Sequence, residues 1–422
     1  MNQQILSLII LGISMILFFT EVFPVPFTAM AILITFIVTG ILEPAEAFAG
    51  LTDSTILLFT AMFIVGDALF ITGVADRLGK MIIKYAKTER RAILLIMLSS
   101  GIASAFLSNT GTTAIFIPII IGVSRTDGFS RSRLMMPLCL AATLGGATTL
   151  LGTTPNILIS SALEEAGFNP FGIFTFSPVG IPLFLIGVAL YVLFFYKFVP
   201  EHDTAKLTKE DIEKYESELD HSSIPRWKRI AALAVLAFTV IGMVFSEMIG
   251  IPFYVIAWIG ALVLVFTNVI TGPQAIKAMD WSSVLLITGT LSIGKALEKT
   301  GAGETIALNV ISVIGTNPIV VVGGVMLICI LLSNFMSNTA TAALMAPIGL
   351  SIAVNAGQEP YMMLMAIAIG CSFSYATPFG SPPNTMVYGP GGYKFSHYSK
   401  IGIPIMLVNF FAALAILYFI YM

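Results

Sequence analysis

The chain has 422 residues, 57% of them hydrophobic and only 10% charged, where an ordinary soluble domain carries roughly 25% charged residues. That composition excludes a water-soluble globular protein. A net charge of −2 with no clustered basic face excludes nucleic acid as a partner.

A hydrocarbon core about 30 Å thick takes roughly 20 helical residues per crossing, which leaves room for about ten spans. Continuous apolar runs carrying Gly and Pro, rather than short segments of alternating polarity, favour helices over a barrel. The expected fold class is therefore all-α and polytopic. In chain order the spans are predicted at 5–21, 26–42, 54–75, 134–163, 174–198, 230–248, 252–270, 282–298, 360–388 and 401–422. The start, Met1 to Phe19, has no basic residue before its apolar stretch and reads as a first span rather than a secretory signal. Two further apolar stretches, 91–123 and 316–353, are interrupted by Ser108-Asn109-Thr110 and Ser337-Asn338-Thr339. Each reads as a re-entrant hairpin of two short helices.

Between the halves, Glu201 to Arg229 is the one long hydrophilic stretch, opened by the helix-start pattern Thr208-Lys209-Glu210-Asp211. Its eight acids and six bases balance locally, as a solvated connector requires. Cys139, Cys329 and Cys371 lie in apolar runs without paired spacing and read as packing residues.

Internal duplication organises the chain. Ser54 to Leu58 aligns with Ser282 to Leu286, Gly66-Asp67-Ala68-Leu69 with Gly294-Lys295-Ala296-Leu297, and Ser108-Asn109-Thr110 with Ser337-Asn338-Thr339. Pro118 aligns with Pro347, and Gly152 to Asn156 with Gly380 to Asn384, all at a nearly constant offset. Five spans plus one non-crossing hairpin per half make the repeats inverted. The first predicted repeat covers 1–200, with its scaffold in 1–90 and its transport segment in 91–199. The second covers 230–422, with its scaffold in 230–315 and its transport segment in 316–422; 201–229 joins the two. The positive-inside rule agrees, placing all but Lys295 and Lys299 of the 21 basic residues on the cytoplasmic side and both termini outside.

Inverted repeats with interrupted helices describe secondary transporters whose site lies where half-helix ends meet. Ser, Asn and Thr supply hydroxyl and amide oxygens for a hard cation such as Na+, and the freed N–H groups of a helix start hold an anion. Taken singly, either triplet reads as a turn sequence. Recurrence at the same repeat position, each before a Gly-x-x-Pro-Asn break, favours a site. Ser104 and Ser333, four residues earlier, share a helical face with Ser108 and Ser337 and would add one oxygen each. Asp67 and Lys295 hold equivalent places, and either pair across the pseudo-two-fold or leave Lys295 to snorkel at a helix end. No nucleophile with a base, no P-loop and no metal or proton-relay cluster emerges, so an enzyme is not expected.

The paired Ser-Asn-Thr hairpins, the Gly-x-x-Pro-Asn breaks and the stretch Thr377 to Gly392 (TPFGSPPNTMVYGPGG) resemble the divalent anion:Na+ symporter (DASS) family of the ion transporter superfamily, citrate/dicarboxylate/sulfate permeases. The resemblance covers nearly the whole chain. It implies a multi-pass plasma-membrane protein, an elevator-type homodimer, Na+ as coupling ion and a small dianion as substrate. By matching motifs it implies that Ser104, Ser108, Asn109 and Gly152 line one Na+ site and Ser333, Ser337, Asn338 and Gly380 the other. Asn109, Thr110, Asn338, Thr339 and Pro383 would meet the substrate. The first break departs from the family's double proline by reading Gly-Thr-Thr-Pro-Asn, and the family's extra N-terminal helix is absent. The rival readings are Na+-independent anion exchange, arsenite-type oxyanion export and Na+/H+ antiport.

Overall fold

A computed structural model describes residues 2–20, 22–74, 85, 87–127, 129–199, 224–314, 317–378 and 380–421. The connector pattern at Thr208, its histidines His202 and His221, the basic residues Arg77, Lys80, Lys84, Lys206, Lys209 and Lys214, and Glu21 lie outside the described residues. Among the described residues the regular elements are helices, with no strand. The first half runs α1 (Gln3–Thr20), α2 (Val25–Val38), α3 (Ser54–Ile71), α4 (Glu89–Phe106), α5 (Asn109–Asp127), α6 (Arg131–Gly146), α7 (Thr154–Glu165) and α8 (Ser177–Leu193). The second half runs α9 (Arg226–Val244), α10 (Phe253–Phe266), α11 (Trp281–Thr300), α12 (Ala302–Ile314), α13 (Pro318–Ser333), α14 (Asn338–Asn355), α15 (Pro360–Cys371), α16 (Pro382–Gly391) and α17 (Phe395–Tyr421).

Several boundaries follow from local chemistry. Thr88 caps α4 by accepting from Arg91 N, and Asn317 caps α13 by accepting from Ile319 N. Proline occupies the first turn of α2, α7, α8, α13, α15 and α16, where its missing N–H costs nothing. Gly301 and Gly392 end α11 and α16 at positive φ, which only glycine adopts without strain.

The predicted spans 134–163 and 360–388 are each split, into α6 and α7 and into α15 and α16, around the expected Gly and Pro positions. The hairpin arms are 18, 19, 16 and 18 residues long, longer than the short helices expected from the sequence. Helix α12 was not anticipated, because its acidic start, Glu304, and mixed polarity hide its apolar stripe. Among the described residues only α17 is at once long and uniformly apolar, whereas the other apolar helices are shorter or broken.

Packing interlocks the halves reciprocally. Helix α2 lies on α11 while α10 lies on α3; α5 lies on α16 while α14 lies on α7. The second helix of each half thus covers the third helix of the other, and each hairpin seats on the other half's broken helix. Within each half the hairpin's first arm packs on the helix preceding the break, α4 on α6 and α13 on α15. Helix α15, and α6 beyond its basic first turn at Arg131 and Arg133, are almost wholly buried, as the innermost layer of such an arrangement must be.

Candidate functional site

Four helices start at one cavity of about 420 Å³. Its wall carries Ser108, Asn109 and Thr110 at the start of α5, Thr153 and Thr154 at the start of α7, Ser337, Asn338 and Thr339 at the start of α14, and Ser381 to Pro383 at the start of α16. The sequence repeats at residues 108 and 337, more than two hundred positions apart, therefore meet in space. Each start leaves backbone N–H groups unpaired within the helix and carries a partial positive charge of about half an elementary charge. A convergence of helix starts on one cavity is an anion-binding arrangement.

The turns are built by their own side chains. Ser108 Oγ accepts from Gly111 N at 3.0 Å and Ser337 Oγ from Ala340 N at 3.2 Å, so both serines act as helix caps. Capping frees the following asparagine to point back into the protein. The Asn109 carboxamide rests on Ser104 Oγ at 2.7 Å, Ala142 O at 3.0 Å and Gly152 O at 3.1 Å. The Asn338 carboxamide rests on Ser374 Oγ at 2.8 Å, Gly380 O at 2.9 Å and Cys371 O at 3.1 Å. With its nitrogen turned inward, each amide shares its two N–H donors among the three oxygens. With its oxygen turned inward, four oxygens face one another, which a bound cation makes favourable.

Gly152 and Gly380 are required by space. A Cβ on Gly152 would collide with Gly146 O and Ser104 O, and one on Gly380 with Ser374 O while pressing on Ser333 O. Ser104 and Ser333 are thus brought against the breaks, although Ser333 Oγ donates to Ile330 O at 3.2 Å while Ser104 Oγ reaches the Asn109 amide. In the second half, Ser374 supplies the hydroxyl that Ser104 supplies in the first. Thr110, Thr339 and Pro383 line the cavity.

The breaks are held by their terminal asparagines, both fully buried. Asn156 Nδ2 donates to Thr149 O at 2.8 Å; Asn384 Nδ2 donates to Thr377 O at 2.8 Å and Ser374 O at 2.9 Å. Asn334 adds a further brace, accepting from Ala376 N at 3.0 Å and donating to Phe373 O at 2.9 Å.

Asp280 and Ser283, at the start of α11, also line the cavity and were not anticipated. The available signal was the duplicated N-cap itself, since Asp53 precedes α3 as Asp280 precedes α11. The backbone carbonyls of Ala142 and Cys371 were missed because a carbonyl has no signature in sequence.

Asp67 and Lys295 do not pair with each other. Asp67 lines a neighbouring cavity of about 570 Å³ with Gln274 and Lys277, which shares Phe63, Ser108 and Leu151 with the first. Lys295 Nζ forms an ion pair with Glu165 Oε1 at 3.0 Å and donates to Glu46 O at 3.3 Å, so it is held by a partner rather than left to snorkel. The loss of hydration in that seam pushes Glu165 up to about 7, against the pull of Lys295, with Asp53 and Glu298 adding to the rise. Beside them Ser54 Oγ donates to Glu164 Oε2 at 2.7 Å and Ser161 Oγ to Asp53 Oδ1 at 2.8 Å.

Broken helices, interlocked halves and a donor-rich cavity at the meeting of several helix starts define a polytopic helical membrane transporter, not an enzyme. The sequence matches the profile of the citrate transporter family (CitMHS) over residues 15–356 and 248–422, and the chain belongs to that family. Among its relatives are an uncharacterized transporter of Methanocaldococcus jannaschii, 28% identical over 420 residues covering 98% of this chain and 92% of that protein. Another is the sodium-dependent dicarboxylate transporter SdcS of Staphylococcus saprophyticus, 24% identical over 430 residues covering 95% of this chain and 83% of that protein. The fold is similar to those of the YdaH transporter of Alcanivorax borkumensis (TM-score 0.64, 14% identity, 99% of this chain and 98% of that one) and MtrF of Neisseria gonorrhoeae (TM-score 0.64, 16% identity, 91% and 83%).

Proposed function

We propose that this chain is a Na+-coupled symporter of a small divalent anion, a C4-dicarboxylate or a dianion of similar size such as sulfate. The observation that carries the reading is the single cavity in which both Ser-Asn-Thr tips and both breaks present helix starts, with each tip asparagine clasped by three oxygens. Ser104, Asn109 and Gly152 would hold one Na+ and Asn338 and Gly380 the other, with Ser108, Ser333 and Ser337 shaping the turns around them. Each ion, bound beneath a helix start, would raise the positive potential of the cavity. Asn109, Thr110, Asn338, Thr339 and Pro383 would then face the dianion, whose charge is met by N–H donors and by the two ions.

In this reading the chain is a pair of inverted repeats and works as an elevator within a homodimer. Residues 91–199 and 316–422 carry the cargo past a scaffold of 1–90 and 230–315, with 201–229 as the cytoplasmic connector. Net symport requires that the empty and fully loaded carriers cross readily and that the carrier holding Na+ alone does not. The sodium-dependent dicarboxylate transport named for SdcS supports the coupling ion and substrate class.

Cation–proton antiport has one observation in its favour, the Asp280 carboxylate at the cavity wall. That carboxylate is engaged as the cap of α11, accepting from Ser283 N at 3.2 Å and from Ser283 Oγ. One assay separates the readings: uptake of labelled succinate and sulfate into proteoliposomes under an inward Na+ gradient, then with K+ in its place. Symport predicts uptake of at least one anion with Na+ only. Uptake indifferent to Na+ but stimulated by internal anion would establish exchange, and Na+ movement driven by a proton gradient without anion would establish antiport.

A further inference from the structure

We infer that Asp280 is a specificity-determining residue that limits the bound anion to two negative charges, so that dicarboxylates are taken and tricarboxylates refused. The inference rests on the anion-binding reading of the cavity and specifies the charge class of its substrate.

Among the described residues lining the cavity Asp280 is the one charged side chain, and no Lys, Arg or His is among them. An anion there is held by helix starts, hydroxyls and amides, and by whatever cations accompany it. Helix starts contribute only about half a charge each, and side-chain amides none. Such a pocket has a small and fixed capacity for negative charge. A carboxylate in its wall subtracts from that capacity directly.

The side chain is also held in place. Asp280 caps α11 through Ser283 N and Ser283 Oγ, which fixes its carboxylate at the wall rather than letting it swing into bulk water. Two further charged side chains of opposite sign, Asp67 and Lys277, line the adjoining cavity rather than this one. A third carboxylate placed about 6 Å from Asp280 at an effective dielectric near 20 loses affinity on the order of 100-fold relative to an uncharged group. A dianion oriented with its carboxylates toward the two tips and its backbone toward Asp280 avoids that cost. A substrate hydroxyl on that backbone would gain an acceptor.

The residue also lends itself to a clean substitution. Asn and Ser cap helices about as well as Asp, so Asp280→Asn and Asp280→Ser remove the charge while keeping α11 capped. Asp280→Glu keeps the charge. The experiment measures displacement of labelled succinate from the purified full-length protein in lipid nanodiscs with saturating Na+, using unlabelled succinate, citrate and tricarballylate at alkaline pH. The wild type is expected to prefer succinate over both trianions by on the order of 100-fold. Asp280→Asn and Asp280→Ser are expected to shrink that preference at least about tenfold, and Asp280→Glu to retain it. A preference unchanged in both neutral variants would overturn the assignment while leaving the anion site standing. A wild type that binds neither dicarboxylate nor sulfate in Na+ would instead remove the proposed function, and this inference with it.

Discussion

The two hairpin tips and the positions Gly66-Asp67 on α3 and Gly294-Lys295 on α11 are equally clear as sequence repeats, yet they have different fates in the fold. At the tips the duplication survives as geometry. Each Ser caps its helix, each Asn rests on three oxygens, and each break presents a glycine that tolerates no Cβ. On α3 and α11 the same alignment leads to opposite charges with unrelated partners. Asp67 faces a cavity shared with Lys277, and Lys295 is tied to Glu165 and Glu46. Where one cavity needs the same donors from two sides, both copies are held to one arrangement. Where each copy faces a different neighbour, electrostatics only has to close locally.

That contrast can be tested by substitution. Asn109→Ala and Asn338→Ala should each reduce Na+-driven uptake more than about 100-fold, since each leaves three oxygens without their common partner; uptake in proteoliposomes checks this. Full activity in either variant would show that the tips are not equivalent. Gly152→Ala and Gly380→Ala force a Cβ against backbone carbonyls and should cost about 1–3 kcal/mol, read as a lower melting temperature together with lost uptake.

The breaks refine the comparison further. Asn384 makes two buried donations and Asn156 one, so Asn384→Ala should destabilise by roughly 1 kcal/mol more than Asn156→Ala in parallel thermal melts. On α11 Lys295→Met strands a largely buried Glu165 and should cost on the order of 1–2 kcal/mol, whereas on α3 Asp67→Asn should change the melting temperature little.

The smallest expected effect is a pH slope. Glu165 is raised from 4.5 to about 7, so between these values the folded protein binds the proton more tightly than the unfolded chain. The stability contributed by that proton is complete below about 4.5 and is lost as pH rises through about 7. Glu165→Gln should flatten this region of the stability profile, measured as melting temperature against pH in nanodiscs. A slope unchanged by the substitution would place its origin elsewhere.

Much of the site was legible in the sequence because its signals are local. Gly and Pro inside apolar runs break helices wherever they fall, and Ser-Asn-Thr caps the helix that follows it. Hence Asn109, Asn338, Gly152 and Gly380 stand out before any fold is known. The duplicated register then implies that the two triplets serve one purpose. Ser333 was matched to Ser104 by register, yet its hydroxyl turns to its own helix and Ser374 takes the place beside Asn338. Helix α12 was overlooked for a related reason, since its apolar stripe makes sense only against α14.

Composition and spacing by themselves determined that this chain is a bundle of membrane helices in two similar halves, because burying backbone in lipid leaves only helices or a closed barrel, continuous apolar runs fit the former, and repeats preserve register. Tertiary structure decided which oxygens gather around each tip asparagine, that Asp280 reaches the cavity wall, and that Lys295 answers to Glu165 rather than Asp67. Those choices depend on contacts between positions up to about two hundred residues apart and on backbone carbonyls that every residue carries alike. Only packing selects among groups that the sequence leaves chemically indistinguishable.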